Sequence, residues 1–253
     1  KARLVPQEIE SCLLRRHVGD VAGVCGAPFG RRHPLPDVAD REAEETIDRS
    51  HPARIARRKV VVIREDVDAA PRKGANRARN LAARASRTAF LAYLDDDAVP
   101  DSAWLSELAR EFDDASVMVV TGRVLPLSLD TEAARLAVRI GASVFDQPDR
   151  VVLDRSAPDW FERAAFGGVG IGCNMAFRRA AFDAWPGFHP AMDRGTPVYG
   201  HGENHAFFSL VDRGFRAVYS PSAVVRHPLP QTLGALRRDS VRDAAAFTAY
   251  LTL

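Results

Sequence analysis

The chain has 253 residues, of which 46% are hydrophobic and 27% charged, which is typical of a globular protein large enough for one α/β domain. Its formal net charge is +2 and no basic stripe is interleaved with aromatic residues, so the composition gives no support to nucleic-acid binding. The three cysteines have no C-x-x-C spacing, which indicates neither a disulfide framework nor a zinc site and favours a reducing, cytoplasmic location.

No apolar run reaches the length of about 18 residues that a transmembrane helix needs. The first residues, Lys-Ala-Arg-Leu-Val-Pro, lack an initiator Met and do not resemble a signal peptide. We interpret the chain as a fragment or a processed form of a longer one.

Residues 1–58 are rich in Pro and Arg and carry turn signals, and we predict no central strand there. After them the pattern is regular, with strands predicted at 59–63, 88–94 and 116–121 and helices at 74–85 and 102–112. This strand–helix alternation with short links favours a parallel α/β sheet.

The second half of the chain is less regular. Helices are predicted at 131–144 and 203–212, a glycine-rich segment at 166–172 leads into residues 173–177, and short strands are predicted at 216–219 and 223–225. The last twenty residues mix Ala, Leu and Arg, and we expect an exposed or docking helix there.

Three consecutive carboxylates, Asp95, Asp96 and Asp97, follow the predicted strand at 88–94. Ligands of parallel sheets bind beyond the carboxyl ends of the strands, and oxygen ligands there suit Mg²⁺ or Mn²⁺ shared with a phosphate. The alternative is a solvated turn before the next helix, whose dipole favours acidic groups. These residues alone leave both interpretations open.

Other segments carry reactive side chains, each with an ordinary structural alternative. The glycine-rich run at 166–172 does not fit G-x-G-x-x-G, so we expect no dinucleotide site. Glu203 opens a predicted helix after two glycines, either as a general base or as a favourable first-turn charge. His201 and His205 flank it without a third ligand and are interpreted as loop or surface histidines. His227 ends an apolar strand and is either a metal ligand or a surface histidine.

Taken in chain order, these segments closely resemble the bacterial family-2 glycosyltransferases of the GT-A fold. The resemblance rests on RARN (77–80), LDDD (94–97), DSAWL (101–105), VTGRV (120–124), GCNMAFRRAAF (172–182), GFHPAM (187–192), HGEN (201–204) and YSPSAVVRH (219–227). It implies a single α/β domain with a Rossmann-like, mostly parallel sheet flanked by helices. It also implies a nucleotide-sugar half at 59–125, an acceptor half at 126–230 and a helical tail at 231–253, after a divergent or incomplete N-terminal part at 1–58.

The activity implied is inverting, hexosyltransferase-type transfer of a sugar from a nucleotide-diphosphate sugar to an acceptor hydroxyl, assisted by Mg²⁺ or Mn²⁺. The acceptor would be a glycan, a lipid-linked molecule or a small molecule, as in polysaccharide biosynthesis, with peripheral attachment to the inner face of a membrane as one option. The resemblance assigns the metal to Asp95, Asp97 and His227, and the nucleotide sugar to Arg79, Asn80, Asp95, Asp96 and Asn174.

One departure from the family pattern concerns the catalytic base. The family normally has Glu-Asp before its acceptor-side helix, with the aspartate as base, whereas this chain has Glu203-Asn204. Direct alignment puts an amide at the base position, and a shift of one residue puts Glu203 there. We favour Glu203 as the base, with a catalytically impaired sugar-binding or interaction domain as the alternative. A nucleotidyltransferase is less favoured because no Gly/Lys-rich phosphate loop is visible.

Overall fold

The computed structural model describes the backbone of residues 60–65 and the whole of residues 74–253. The predictions for residues 1–58 lie outside the described residues. The strands are β1 (Val60–Glu65), β2 (Phe90–Asp95), β3 (Val99–Pro100), β4 (Val117–Pro126), β5 (Val151–Leu153), β6 (Asn174–Arg178) and β7 (Arg216–His227). The helices are α1 (Ala75–Ala85), α2 (Trp104–Glu111), α3 (Glu132–Arg139), α4 (Trp160–Ala165), α5 (Ala181–Ala184), α6 (Gly202–Asp212) and α7 (Leu233–Tyr250).

These strands form one sheet in the order β1-β2-β6-β4-β7-β3, with β5 paired to β7. The pairs β1·β2 and β4·β7 are parallel, and β6 lies antiparallel between β2 and β4. β1, β2, β4 and β7 therefore run in one direction, while β3, β5 and β6 oppose them. The α/β class with a sheet flanked by helices is confirmed. The sheet is more antiparallel than predicted, because a strand from the second half of the chain separates β2 from β4.

Strand β2 shows why the chain folds around this sheet. Its run of five apolar residues is buried on both faces, as expected for a central strand. Leu91 and Tyr93 pack with Phe177 and Phe207 on one face, in a cluster that also includes parts of α1 and α6. Alternate residues of β2 pack on the other face with Trp104 and Leu108 of α2. Both faces of β2 are thus covered by apolar side chains, and this packing positions the end of the strand at Asp95.

Strand β7 is one long strand where two short ones were predicted. It pairs with β4 along its length, but the register shifts between the pairs Gly122↔Ser220 and Arg123↔Val224. The backbones come close at this bulge, since a Cβ on Gly122 would lie 2.1 Å from the carbonyl oxygen of Ala223. The bulge explains why the sequence pattern breaks between the two predicted strands.

Other boundaries differ modestly. Helix α3 is shorter than the predicted 131–144, and the irregular stretch before Trp160 contains the three-residue strand β5. The tail predicted to be helical forms α7. Across 60–65 and 74–253, none of the helices combines the length and apolarity needed to span a bilayer.

Candidate active site

Two carboxylates and one imidazole converge at the carboxyl ends of β2 and β7. Asp95 is the last residue of β2, and the following turn is held against β7 by the pairing of β3 with that strand. The Nε2 atom of His227, the last residue of β7, lies 3.3 Å from Asp95 Oδ2 and 3.4 Å from Asp97 Oδ1. One ligand atom from each of the three residues lies within 4.8 Å of the others.

The polar atoms of this cluster fit a divalent cation. Both ring nitrogens of His227 are buried, and among the described residues neither has a hydrogen bond of good geometry, although Nε2 lies close to the two carboxylates. Burial alone would raise the pKa of Asp95, but the His227 contact and the charges of Arg79 and Arg194 lower it. Asp95 is therefore held as a carboxylate. Two carboxylate oxygens and one imidazole nitrogen form a donor set suited to Mn²⁺ or Mg²⁺.

The structure brings together the three residues predicted to bind a metal and leaves Asp96 out of that cluster. Asp96 is exposed in the turn between β2 and β3. The parts of the chain that the structure describes contain no second group of three His, Cys, Asp or Glu ligands. His201 and His205, accordingly, do not form a metal centre there.

A buried ion pair lies next to the acidic cluster. Arg79 of α1 is 4% exposed, pairs with Asp193 and donates from Nη1 to Asn76 Oδ1 at 2.8 Å. Its guanidinium also lies over the ring of Phe188, 5.4 Å from the centroid. The predicted contact of Arg79 with the nucleotide stays a prediction, and the contacts observed give Arg79 the role of holding Asp193.

Two asparagines predicted to contact the nucleotide sugar make hydrogen bonds within the chain, and their contact with the sugar stays a prediction. Asn80 donates to the carbonyl of Phe188 at 2.7 Å and accepts from its N–H at 2.9 Å. Asn174 accepts from Trp104 Nε1 at 2.8 Å and donates to the carbonyls of Arg123 and Ala223 at 3.0 and 2.8 Å. Asn174 is fully buried and ties β6 to the bulge between β4 and β7.

Glu203 lies in the first turn of α6, beside Arg79. A Cβ added to Gly172 would lie 3.3 Å from Arg79 Nη2 and 3.5 Å from Glu203 Cδ, so these two side chains flank Gly172. Burial raises the pKa of Glu203, the negative charge of Asp193 raises it further, and Arg79 partly offsets both effects. A carboxylate with a raised pKa is a stronger base than an ordinary glutamate.

The next residue, Asn204, is buried, and its Nδ2 lies 3.2 Å from His201 Nδ1. His201 precedes α6 with a left-handed backbone, at φ 61°. His201 and His205 are both partly buried, and His201 lies in the loop before α6, as one of the two interpretations expected, whereas His205 lies inside the helix. The ring of His205 packs 5.5 Å from that of His189, and burial, followed by the charge of His189, lowers the pKa of His205.

Sequence reasoning missed Asp193 and Arg194, which lie between helix α1 and the acidic cluster. Asp193 accepts from the Arg194 N–H at 2.7 Å, and the carbonyl of Arg194 accepts from Ala75 at the start of α1, at 2.9 Å. The positive charge of Arg194 also acts on Asp95 and Asp97. The GFHPAM segment ends at Met192 and is followed directly by Asp193 and Arg194. These two adjacent charged residues were the sequence feature that could have pointed to the site.

A family model described as glycosyl transferase family 2 matches residues 41–185. The chain belongs to glycosyl transferase family 2. The matched segment includes Asp95, Asp97, Gly172 and Asn174, so the family resemblance predicted from the sequence is confirmed.

Two relatives of this family member are pre-mycofactocin glycosyltransferases of Mycobacterium tuberculosis, from strains CDC 1551 / Oshkosh and ATCC 25618 / H37Rv. Each is 30% identical over 179 residues, which cover 70% of this chain and 33% of the relative. The match thus spans one third of the length of these curated relatives. A mannosyltransferase, PcManGT from Pyrobaculum calidifontis, solved in complex with GDP-Man and Mn²⁺, aligns at 16% identity with a TM-score of 0.46, covering 76% of this chain and 53% of that one.

Proposed function

We propose that this family-2 member is an inverting glycosyltransferase that moves a hexosyl group from a nucleotide-diphosphate sugar to an acceptor hydroxyl. The observation that carries the proposal is the convergence of Asp95, Asp97 and His227, whose ligand atoms lie within 4.8 Å of one another. The cluster stands at the carboxyl ends of β2 and β7, the edge where α/β sheets bind their ligands.

The residues of the cluster would hold Mg²⁺ or Mn²⁺ together with the donor diphosphate. A cation at this position supplies neutralisation of the negative charge that the departing nucleoside diphosphate accumulates. Asp95 and Asp97 contribute carboxylate oxygens, and His227 contributes an imidazole nitrogen from the end of β7. The exposed cation of Arg194 adds positive charge on the same side of the site.

Glu203 is the proposed general base. In an inverting transfer the acceptor hydroxyl attacks the anomeric carbon from the face opposite the diphosphate, and it loses its proton as the new bond forms. The raised pKa of Glu203 makes its carboxylate a stronger base than an ordinary glutamate. The neighbouring Asn204 cannot accept this proton usefully, and its amide contacts His201. These two facts support assigning the base to Glu203, as in the shifted alignment.

Donor turnover tests the proposal. With a panel of nucleotide-diphosphate hexoses and Mn²⁺ or Mg²⁺, Glu203→Gln should lower kcat by about 10²–10⁴-fold, as removal of a general base does. Asp97→Asn should weaken Mn²⁺ binding by more than about 10-fold, because replacing a residue that merely hydrogen-bonds to a metal ligand already lowers metal affinity by about that factor. Asp130→Asn, an exposed carboxylate bonded to Ser128, is the matched control and should change neither quantity. Undiminished transfer in both site variants would refute the assignment.

The acceptor is proposed only by class: a glycan, a lipid-linked molecule or a small molecule, handled on the cytoplasmic side of a membrane in polysaccharide assembly. Because the relatives are pre-mycofactocin glycosyltransferases, a pre-mycofactocin-type acceptor belongs in the same panel.

The second candidate is a sugar-nucleotide-binding domain without turnover, and the observation that favours it is the amide of Asn204 next to Glu203. Isothermal calorimetry separates the two functions. Metal-dependent donor binding without hydrolysis or transfer would favour the inert domain, and turnover that depends on Glu203 would exclude it.

A further inference from the structure

The C-terminal helix α7 packs against the segment that leads into α6. Asp243, Phe247 and Tyr250 lie on one face of α7, at the i, i+4 and i+7 spacing of a helix. Each of them contacts His201: Asp243 Oδ1 lies 3.2 Å from His201 Nε2, and the rings of Phe247 and Tyr250 lie 5.1 and 6.0 Å from the imidazole. The ring of Tyr250 is stacked on it, with an interplanar angle of 12°.

Two further contacts attach α7 to the same part of the chain. The guanidinium of Arg242 lies 4.9 Å from the ring centroid of Tyr199, and Phe247 contacts Phe166 of the glycine-rich segment at 6.1 Å. Gly200 lies directly under the helix, because an added Cβ would sit 3.7 Å from Ala246. Helix α7 therefore covers the loop whose next residues are Glu203 and Asn204.

The imidazole of His201 connects α7 to Asn204 through its two nitrogens. Nδ1 lies 3.2 Å from Asn204 Nδ2 and Nε2 lies 3.2 Å from Asp243 Oδ1. A neutral ring with its proton on Nε2 fits both neighbours, since Nδ1 then accepts from the amide, while Nε2–H lies close to the Asp243 carboxylate without a hydrogen bond of good geometry. A protonated ring has N–H groups on both sides, and the Asn204 amide must then turn its oxygen toward Nδ1.

We propose that His201 is a positioning residue, through which Asp243 of α7 fixes the orientation of the Glu203–Asn204 turn. This inference rests on the proposed function. The turn begins where His201 adopts its left-handed backbone without a side-chain cap, so its geometry depends on contacts from outside α6. A base that is misplaced by about 1 Å can lose on the order of 10²-fold in rate.

The charges that face His201 come from two elements, Asp243 of α7 and Glu203 of α6. Burial lowers the pKa of His201, and these two carboxylates reverse the effect and raise it. Removing the Asp243 charge should therefore move the titration of His201 to lower pH.

Three variants of α7 test the inference. Asp243→Ala removes both the contact and the charge, and it should lower kcat by about 10- to 100-fold while KM for the donor changes less than twofold. Asp243→Asn keeps an oxygen that can accept from Nε2–H, and it should restore most of kcat above the pKa of His201. Asp239→Ala, one turn earlier on the same helix, removes a 52% exposed carboxylate whose pair with Arg242 is long, at 4.0 Å; it is the matched control and should leave both constants unchanged.

Stability and titration complete the test. Asp243 is 72% exposed, so its removal should barely change the free energy of unfolding. NMR titration, with the signal assigned by His201→Gln, should show the His201 pKa falling in both Asp243 variants. Hydrogen exchange of amides 199–204 should rise in Asp243→Ala only. An Asp243→Ala variant with the kcat of the Asp239→Ala control, or an unmoved titration of His201, would overturn the inference.

Failure of the proposed function can be distinguished from failure of the positioning role inferred for His201. If the unmodified chain transfers no sugar from any donor, the glycosyltransferase proposal fails. The titration and the exchange measurement still decide whether Asp243 positions the turn. Unchanged exchange at 199–204 in Asp243→Ala would then overturn the positioning role by itself.

Discussion

Replacing Asp193 by Asn tests how the buried ion pair controls the proposed base. Asp193 has a left-handed backbone, at φ 79°, a conformation that Asn tolerates far better than most residues. The Asn carboxamide also keeps an oxygen for the Arg194 N–H, which Asp193 accepts at 2.7 Å. The substitution therefore removes the negative charge and replaces the oxygen that accepts from Arg79 by an NH2 group, which cannot accept.

The expected loss of stability follows from the burial of the pair. The side chains of Arg79 and Asp193 are 5% and 9% exposed, so the guanidinium loses a charged acceptor where water cannot replace it. A hydrogen bond to a charged group contributes about 1.5–3 kcal/mol, which we take as the decrease in unfolding free energy. For a chain of this size, this decrease corresponds to a fall in Tm of about 3–12 °C.

The catalytic effect has a definite sign. Asp193 raises the pKa of Glu203, whereas Arg79 lowers it. Without the Asp193 charge, and with Arg79 no longer neutralised, the pKa of Glu203 should fall. Glu203 must be deprotonated to act as a base, so the acid limb of the pH profile of kcat should move to lower pH in Asp193→Asn.

The assay is donor turnover across pH together with thermal unfolding. Asp146→Asn is the control, because Asp146 pairs with Arg123 at 2.6 Å with side chains 43% and 34% exposed. An exposed pair contributes at most about 1 kcal/mol, so this control should keep its Tm within a few degrees and its acid limb unmoved. An acid limb that stays in place in Asp193→Asn, or moves to higher pH, would refute the coupling of Asp193 to Glu203.

Three shorter predictions concern the same site. Glu203→Gln should raise the unfolding free energy at pH 7 by about 0.5–2 kcal/mol in urea titrations. The raised pKa of Glu203 means that the folded state binds more protons than the unfolded state above pH 4.5, so the unfolding free energy falls as pH rises from there. An unfolding free energy at pH 7 that does not increase in Glu203→Gln would contradict this prediction. Gly172→Ala should lower kcat by about 10-fold by shifting the Arg79 guanidinium that lies beside Glu203, while Gly234→Ala in the first turn of α7 should leave kcat unchanged. Asn174→Ala should cost about 1–3 kcal/mol by leaving Trp104 Nε1 without its acceptor, and donor KM measured alongside should stay constant, unlike that of a sugar-binding residue.

The acidic cluster could be predicted because most of its ligands are neighbours in the sequence. An apolar run followed by three carboxylates marks a strand end, and the family order of segments added His227 from far along the chain. The side-chain roles of Arg79 and Asn174 could not be read in the same way. Family order gives a position along the chain, whereas the partners Asp193 and Trp104 are long-range contacts that only the folded chain reveals.

The sheet shows the same limit. Local periodicity identified β2 and β4 as strands, but nothing in either segment indicates that β6 inserts between them. Strand neighbours depend on which apolar edges meet in three dimensions, and sequential strands are not always adjacent. The left-handed backbone of Asp193 and His201 was equally invisible, since neither is a glycine.

The bulge between β4 and β7 determines which side chain reaches the acidic cluster. The pair Gly122↔Ser220 is followed by Arg123↔Val224, so three residues of β7 have no counterpart in β4. If the register continued unbroken, Val224 would stand opposite Pro126, where His227 stands now. The nitrogen ligand is thus selected by the length of an insertion. Closing the bulge with residues 221–223 retained would present Val224 to Asp95 and Asp97, whereas deleting these three residues would remove the bulge and still leave His227 opposite Pro126.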